Sequence, residues 1–165
     1  MGRRTLGFVV GLALVVGASA WLTAQSKPSA LEGAWVVQDI TSPQPVTPPR
    51  NKPTGLIQFS GRNYSIVFVS NSVRPDFPEG GAAKATADQL NAIWGPLTAN
   101  AGTFTVNGNT IRQTRLVAKN PAVMAAGNFQ ETTFTLNGDT LVLTDVRNNA
   151  GPIANPTTIR LTRVK

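Results

Sequence analysis

Apolar and polar residues alternate one by one over most of the chain after residue 31. A period of two is typical of β-strands that bury one face. Turn signals recur every 8–12 residues or so, a spacing that predicts a barrel or a sandwich. The pattern places eight strands at residues 33–40, 55–60, 63–70, 103–107, 110–118, 128–136, 140–145 and 157–164.

Three short turns predict β-hairpins. Ser60-Gly61-Arg62-Asn63 joins the second and third strands, Asn107-Gly108-Asn109 joins the fourth and fifth, and Asn137-Gly138-Asp139 joins the sixth and seventh. Glycine beside asparagine or aspartate readily adopts the left-handed backbone of such turns. The strands of each pair are therefore expected to be antiparallel neighbours.

The first strand is expected to pair with the last. Eight antiparallel strands in an open sheet would leave two long unpaired edges, which is an aggregation hazard. Closure removes both edges, so we predict an all-β fold, an eight-stranded antiparallel up-and-down barrel. Strict alternation in the first strand puts Trp35, Val37 and Asp39 on one face and Ile40 on the other.

One helix is predicted, at residues 82–93. The segment is rich in alanine, Thr86 or Asp88 is suited to its start, and Gly95-Pro96 ends it. Its apolar stripe should dock on the sheet and consists of Leu90, Ile93 and Trp94. Residues 41–53 contain five prolines and predict a stiff extended loop across one end of the barrel.

The N-terminus has the layout of a secretory signal peptide. Arg3 and Arg4 precede an apolar run, and Ala18-Ser19-Ala20 is a small-x-small cleavage site. We predict a signal peptide at residues 1–24, cleaved after Ala20 or after Ala24, a linker at residues 25–30 and a barrel domain at residues 31–165. A retained membrane anchor is the alternative. The mature protein is expected to be secreted or periplasmic, without a stable membrane anchor.

Composition excludes several kinds of site. The chain has no cysteine and no histidine, which excludes disulfides, thiolate nucleophiles, catalytic triads and imidazole-based metal sites. No metal and no cofactor is expected. The net charge of +7 comes from scattered bases without the aromatic residues of a single-strand binder, so nucleic acid is not an expected partner.

Gly33-Ala34-Trp35 resembles the Gly-x-Trp signature of lipocalins. The resemblance implies that Trp35 plugs the closed end of a barrel and that a basic residue near the end of the chain packs across its ring. Arg163 is the matching position, and Arg160 is the second choice. The alternation of residues in the last strand agrees with this placement of Arg163, because Ile159, Leu161 and Arg163 share one face of that strand.

The wider pattern, over about residues 31–165, is similar to a bacterial subgroup of lipocalin-like domain proteins. The motifs that carry the similarity occur in the same order and are Asn63-Tyr64-Ser65-Ile66, Arg74-Pro75, the segment 86–94, Ala101-Gly102-Thr103-Phe104 and Asn137-Gly138-Asp139-Thr140-Leu141. The subgroup frequently has histidines on the strand at residues 110–115. This chain has none there, so a function that rests on them is not transferred.

Candidate binding residues follow from strand parity. Tyr64 and Phe68 share one face of the third strand, and Trp94 is a candidate for the open end. Arg112 and Arg115 lie on opposite faces of one strand, and Glu131 on the next strand is within cross-strand reach of Arg115. An Arg115–Glu131 pair in the lumen would suit a ligand with a carboxylate or hydroxyl group.

The sequence therefore predicts an exported barrel, expected to be monomeric, that binds a small hydrophobic or amphipathic molecule. One alternative is a filled barrel that serves as a structural or interaction module. Another is a cofactor-free isomerase or cyclase that acts on lipid-like substrates. Its acid–base chemistry would then depend on a residue from a short list, namely Tyr64, Glu131, Asp39 or Asp145. No catalytic residue is assigned.

Overall fold

The computed structural model describes residues 29–43 and 51–165. The predicted signal peptide, residues 25–28 of the linker and residues 44–50 of the proline-rich loop lie outside the described residues. The strands are β1 Gly33–Thr41, β2 Thr54–Ser60, β3 Asn63–Val69, β4 Leu97–Asn107, β5 Thr110–Ala118, β6 Gln130–Asn137, β7 Thr140–Asn148, β8 Gly151–Pro152 and β9 Thr158–Arg163, and the helix is α1 Ala87–Trp94.

The strands close into the predicted barrel. Each strand from β1 to β7 pairs with the next along the chain, and β9 pairs with both β7 and β1, always antiparallel. The barrel therefore has eight strands, β1 to β7 and β9. The two-residue strand β8 extends only the end of β7. The predicted fold class and the pairing of the first strand with the last are both confirmed.

The two ends of the barrel are built differently. The turns between β2 and β3, β4 and β5, and β6 and β7 lie at one end, called here the turn end. Their glycines, Gly61, Gly108 and Gly138, have φ values of 59°, 58° and 56°, a left-handed conformation that glycine adopts without steric cost. The longer connections, including α1, leave from the other end, called here the loop end.

The core fills the half of the barrel at the turn end. Trp35 is completely buried, and the rings of Phe59 and Phe104 meet edge to face with centroids 5.1 Å apart. Such aromatic contacts add about 0.5–1.5 kcal/mol beyond burial of area. The inward-facing residues of every barrel strand contribute to one continuous cluster, with members such as Ile57, Ile111, Leu141 and Leu161.

Three β-bulges interrupt the strand ladders, and the one on β1 changes the parity expected from strict alternation. The register shifts between Val37 and Asp39 on β1, so Ile40 points into the barrel and Asp39 points out. Asp39 instead lies 3.8 Å from Arg160 in an exposed ion pair. The parity prediction for Asp39 and Ile40 was therefore wrong, because one extra residue in a strand reverses the facing of those that follow.

Helix α1 is shorter than predicted. Ala85 and Thr86 are extended, and Gly81–Lys84 forms a separate 3₁₀ turn. Thr86 and Gln89 form a reciprocal capping box at the start of α1, as a threonine at that position favours. Of the predicted apolar stripe, Ile93 is buried, whereas Trp94 is 44% exposed and contacts Phe77.

Cations hold the C-terminal end of α1. Arg74 donates to the carbonyl of Ile93 at 3.1 Å. Lys119 donates to the carbonyls of Trp94 and Leu97. Positive groups at this end of a helix donate hydrogen bonds to its free carbonyls and interact favourably with the negative end of the helix dipole. In the part of the chain that the structure describes, no helix is long and apolar enough to cross a membrane.

Candidate ligand-binding site

The half of the barrel near the loop end contains a cavity of about 280 Å³. Its walls come from strands β1 to β7, from β9 and from the residues that flank them. The residues that line it are Ile40, Ile57, Ile66, Phe68, Ser70, Thr98, Asn100, Ile111, Gln113, Arg115, Gln130, Thr132, Leu143, Asp145, Thr157 and Ile159.

The cavity has one apolar wall and one polar wall. Strands β9, β1, β2 and β3 supply Ile159, Ile40, Ile57, Ile66 and Phe68. Strands β4 to β7 supply amides, hydroxyls, a guanidinium and a carboxyl together with two apolar side chains, Ile111 and Leu143, and the hydroxyls of Ser70 and Thr157 flank the apolar wall. Two walls of opposite polarity are what an amphipathic molecule needs if it is to lie across the lumen.

The polar wall contains every fully buried polar side chain of the described residues, namely Gln113, Gln130 and Thr132. Gln113 is directly opposite Gln130 across β5 and β6, and Thr132 is opposite Asp145 across β6 and β7. Burial of polar groups costs free energy unless they are hydrogen-bonded. Packing of the core does not require buried polar side chains. Their grouping on one wall is therefore a feature of the cavity.

Asp145 is the carboxyl group of the polar wall. Its Oδ1 atom accepts a hydrogen bond of 2.8 Å from the Thr132 hydroxyl. Burial raises the pKa of Asp145, because a charged carboxylate is poorly solvated there, while the Thr132 hydrogen bond and the Arg115 charge act in the opposite direction.

Arg115 supplies the positive charge of the same wall. It lies opposite Gly102 in the regular register of the β4–β5 hairpin, immediately before the bulge of that ladder, and it is partly buried with its Nη2 atom 3.4 Å from the Gln130 side-chain oxygen. Gly102 is required at this place, because a Cβ atom there would lie 1.9 Å from the carbonyl oxygen of Thr114. The hairpin register and its glycine thus set the position of Arg115.

Tyr64 lies on the other side of Gly102, across β3 and β4. It belongs to the core, and its hydroxyl is buried without a hydrogen-bond partner among the described residues. Burial raises the pKa of Tyr64, and the nearby Arg115 charge partly offsets this effect. The phenol is therefore neutral near neutral pH.

Two of the predicted binding residues line the cavity, namely Phe68 and Arg115. Tyr64 is next to it in the core. Trp94 is exposed on the surface of α1 and is not among the lining residues, because Phe77 and solvent, not the sheet, surround its ring.

The predicted Arg115–Glu131 pair was wrong. Glu131 forms an ion pair of 2.6 Å with Arg112, on the outer face of the barrel. The guanidinium of Arg112 also covers the ring of Phe129, 3.5 Å from its centroid. Gln113, between Arg112 and Arg115 in sequence, lies opposite Gln130, so the inward neighbours of Arg115 on β6 are an amide and a hydroxyl.

Sequence reasoning missed most of the polar wall. Gln113 shares the parity of Ile111 and Arg115, and Thr132 shares that of Gln130, so polar residues at inward positions were the available signal. Asp145 entered only as one of several candidate acid–base groups. Its position opposite Thr132 follows from the regular register of the β6–β7 hairpin, whose bulge comes only after this pair.

The turn end is closed by Trp35 and Arg163. The Arg163 guanidinium carbon lies 4.1 Å from the centre of the Trp35 ring, which confirms the contact that the resemblance to lipocalins implies. Arg163 also donates to the carbonyls of Glu32 at 2.6 Å and Ala30 at 2.9 Å, and the Trp35 indole donates to the carbonyl of Leu31 at 2.8 Å.

Gly33 makes this arrangement possible. Its φ is +118°, and a Cβ atom there would lie 3.2 Å from a guanidinium nitrogen of Arg163. The absence of a side chain at Gly33 therefore leaves room for the arginine over the tryptophan. In residues 29–43 and 51–165 no group of three or more potential metal ligands occurs.

No curated protein matches the chain. A family model described as a lipocalin-like domain matches residues 32–159, which include Trp35 and the polar wall on β4–β7 but not Arg163. With a closed eight-stranded barrel and this match over most of its length, the chain belongs to the lipocalin-like domain family.

Proposed function

We propose that this protein is an exported barrel that binds a small amphipathic molecule in its lumen. The observation that carries the proposal is the cavity with an apolar wall on β9 and β1–β3 and a polar wall on β4–β7. A barrel that served only as a structural module would gain stability from filling this space with side chains, since empty volume costs packing energy.

The size of the cavity limits the ligand. Pockets for small molecules commonly range from about 300 to 1,000 Å³, and this one, at about 280 Å³, is at the low end. A short chain or a single ring system with one polar group fits this volume. The polar group faces Arg115 and Asp145, and the apolar body faces Phe68 and the isoleucines.

A matched pair of tryptophan variants on one strand tests binding. Thr98 lines the cavity, and Thr105 lies on the outer face of the same strand, β4. Thr98→Trp fills the lumen and should abolish binding of hexanol, measured by calorimetry or by NMR shifts of the barrel amides. Thr105→Trp should leave it unchanged. Binding that is absent in the wild type, or equal in both variants, would contradict the proposal.

Export is the second part of the proposal and rests on the N-terminal sequence alone. The positive start, the apolar run and the Ala18-Ser19-Ala20 site favour cleavage and release. N-terminal sequencing of the protein from its own source should find a start at Trp21 or Gln25. Recovery of Met1 in a membrane fraction would show a retained anchor.

A second candidate function is proton transfer. A buried carboxyl with a raised pKa at a cavity, here Asp145, is the kind of group that acts as a general base. Native mass spectrometry of protein from its own source would identify a co-purified molecule. Conversion of that molecule to an isomer by the wild type, but not by Asp145→Asn, would favour the enzyme.

A further inference from the structure

The first relevant feature is that Arg115 has no carboxylate partner. Among the described residues the ion pairs involve other cations, and residues 1–28 and 44–50 contain no aspartate or glutamate. Its one side-chain contact is the long hydrogen bond to Gln130. A guanidinium has five N–H donors, so most of them remain available to a group in the cavity.

The second feature is that Asp145 is only partly satisfied. The Thr132 hydroxyl donates to Oδ1, and within the described residues no side chain donates to Oδ2. Asp145 and Arg115 line the same cavity, yet they are not within the 4.0 Å of an ion pair. Both groups are therefore exposed to the cavity without being paired to each other.

The two residues differ in how they can change charge. A guanidinium stays protonated at every ordinary pH, whereas a buried carboxyl loses its charge by binding a proton. With the phenol of Tyr64 neutral, the net charge contributed by Arg115 and Asp145 is either zero or +1 and is never negative. The site therefore carries no net negative charge that would favour a cation and, once Asp145 is protonated, it favours an anion.

The other charged groups around Asp145 do not face it. On the strands that pack around the cavity, the groups on the inward face are Arg115 on β5, Tyr64 on β3 and Arg163 on β9, and Arg163 lies at the turn end over Trp35. The outward groups are Asp39 on β1, Arg112 on β5, Glu131 on β6, Arg147 on β7 and Arg160 on β9. Asp145 is thus the group whose protonation changes the charge of the lumen.

We propose that the lumen binds a small amphipathic anion, with the anionic group on Arg115 and with Asp145 taking up a proton as the anion binds. The proposal rests on the proposed binding function and names its ligand class. An anion placed between the two residues repels the Asp145 carboxylate and so favours its protonated form. By linkage, lowering the pH through the range in which Asp145 titrates strengthens binding of the anion.

The test uses three probes with the same six-carbon chain, namely hexanesulfonate, hexanol and hexylammonium. A sulfonate does not titrate in the working range, so any pH dependence of its binding comes from the protein. Titration calorimetry from about pH 4 to 8, in two buffers of different ionisation enthalpy, measures both affinity and proton uptake. The affinity for hexanesulfonate should rise by up to about tenfold for each unit by which the pH is lowered.

Three variants identify the residues that cause the pH dependence and the anion binding. Asp145→Asn should bind hexanesulfonate at every pH as tightly as the wild type does at low pH, with no proton uptake. Asp76→Asn, which changes an exposed loop carboxylate in the same way, should behave as the wild type. Arg115→Gln should lose hexanesulfonate binding and keep hexanol binding.

The outcomes separate the two proposals. Wild-type protein that binds hexanol but not hexanesulfonate, or that prefers hexylammonium, overturns the anion site and leaves the lumen as a binding site. Hexanesulfonate binding without pH dependence, or with the same dependence in Asp145→Asn, overturns the proton coupling. Protein that binds none of the three probes overturns both proposals.

Discussion

At the scale of single residues, the turn end depends on Arg163. Its guanidinium covers Trp35 and satisfies two backbone carbonyls of the segment that leads into β1. A cation over an indole contributes about 0.5–2 kcal/mol, and hydrogen bonds from a charged donor are stronger than neutral ones. One side chain thus ties the end of the chain to the start of the barrel.

Arg163→Met should lower the free energy of unfolding by about 2–4 kcal/mol, because the cation–π contact and the carbonyl partners are lost while the apolar stem remains. Arg160→Met on the same strand is the matched control. Arg160 is exposed and has only a 3.8 Å ion pair with Asp39, so about 0–1 kcal/mol is expected. Equal losses in urea unfolding would contradict the role of Arg163.

Asp145 predicts a pH dependence of stability. Its folded pKa is raised above the ordinary value of 3.8, so the folded state binds more protons than the unfolded state between the two values. Stability should therefore fall as pH rises from 3.8 through the folded pKa. Asp145→Asn removes the charged form and should be more stable than the wild type at neutral pH.

The difference between Asp145→Asn and the wild type should shrink as pH falls toward 3.8, the ordinary value. Urea unfolding at a series of pH values measures it, with Asp76→Asn as the exposed control. A variant less stable than the wild type at neutral pH would show that the carboxylate is stabilised by its surroundings, against the desolvation argument.

At the scale of elements, the hairpin registers decide which polar side chains enter the lumen. Arg115 and Asp145 lie in the regular registers of their hairpins, opposite Gly102 and Thr132, and the bulge of each ladder comes directly after them. A bulge adds one residue to one strand and re-aims the side chains next to it, and the bulge on β1 turns Ile40 inward in this way. The regular part of each of these two hairpin ladders therefore ends at a polar residue of the cavity.

Gly102→Ala should disrupt the β4–β5 bulge. The new methyl group would lie 1.9 Å from a carbonyl oxygen of the backbone, so the strands must shift, at a cost of about 1–3 kcal/mol. Arg115 should move with them, and anion binding should weaken more than hexanol binding. Thr103→Ala, an exposed change one residue away, is the control. Unchanged stability in Gly102→Ala would refute the close approach.

At the scale of the whole molecule, closure joins segments far apart in sequence. Strand β9 lies between β1 and β7 and is bonded to both. Without it both neighbours would expose a row of unpaired backbone groups, which promotes association with other chains. The barrel is thus completed by its last strand.

Deletion of residues 158–165 should abolish two-state unfolding and produce aggregates in size-exclusion chromatography. Deletion of Lys165 alone is the control, because its side chain is exposed and has one surface ion pair, and it should leave the barrel intact. A soluble, cooperatively folded monomer after the longer deletion would contradict the dependence on closure.

The sequence by itself determined the barrel, its hairpins and its closure, which follow from local alternation, turn glycines and the need to bury sheet edges. The plug of Gly33, Trp35 and Arg163 was implied by the resemblance to the Gly-x-Trp signature of lipocalins, and strand parity agreed with it. The start of β4 at Leu97 was missed, because residues 97–102 include small residues with little β-propensity.

Only the tertiary structure decided which polar groups share the lumen. Arg115 and Asp145 lie on strands that are not adjacent, and only the closed barrel brings their inward faces to one cavity. Glu131, the predicted partner of Arg115, lies outside, paired with Arg112. The cavity is the difference between the volume that the closed strands enclose and the volume of their side chains, and no local pattern contains that quantity.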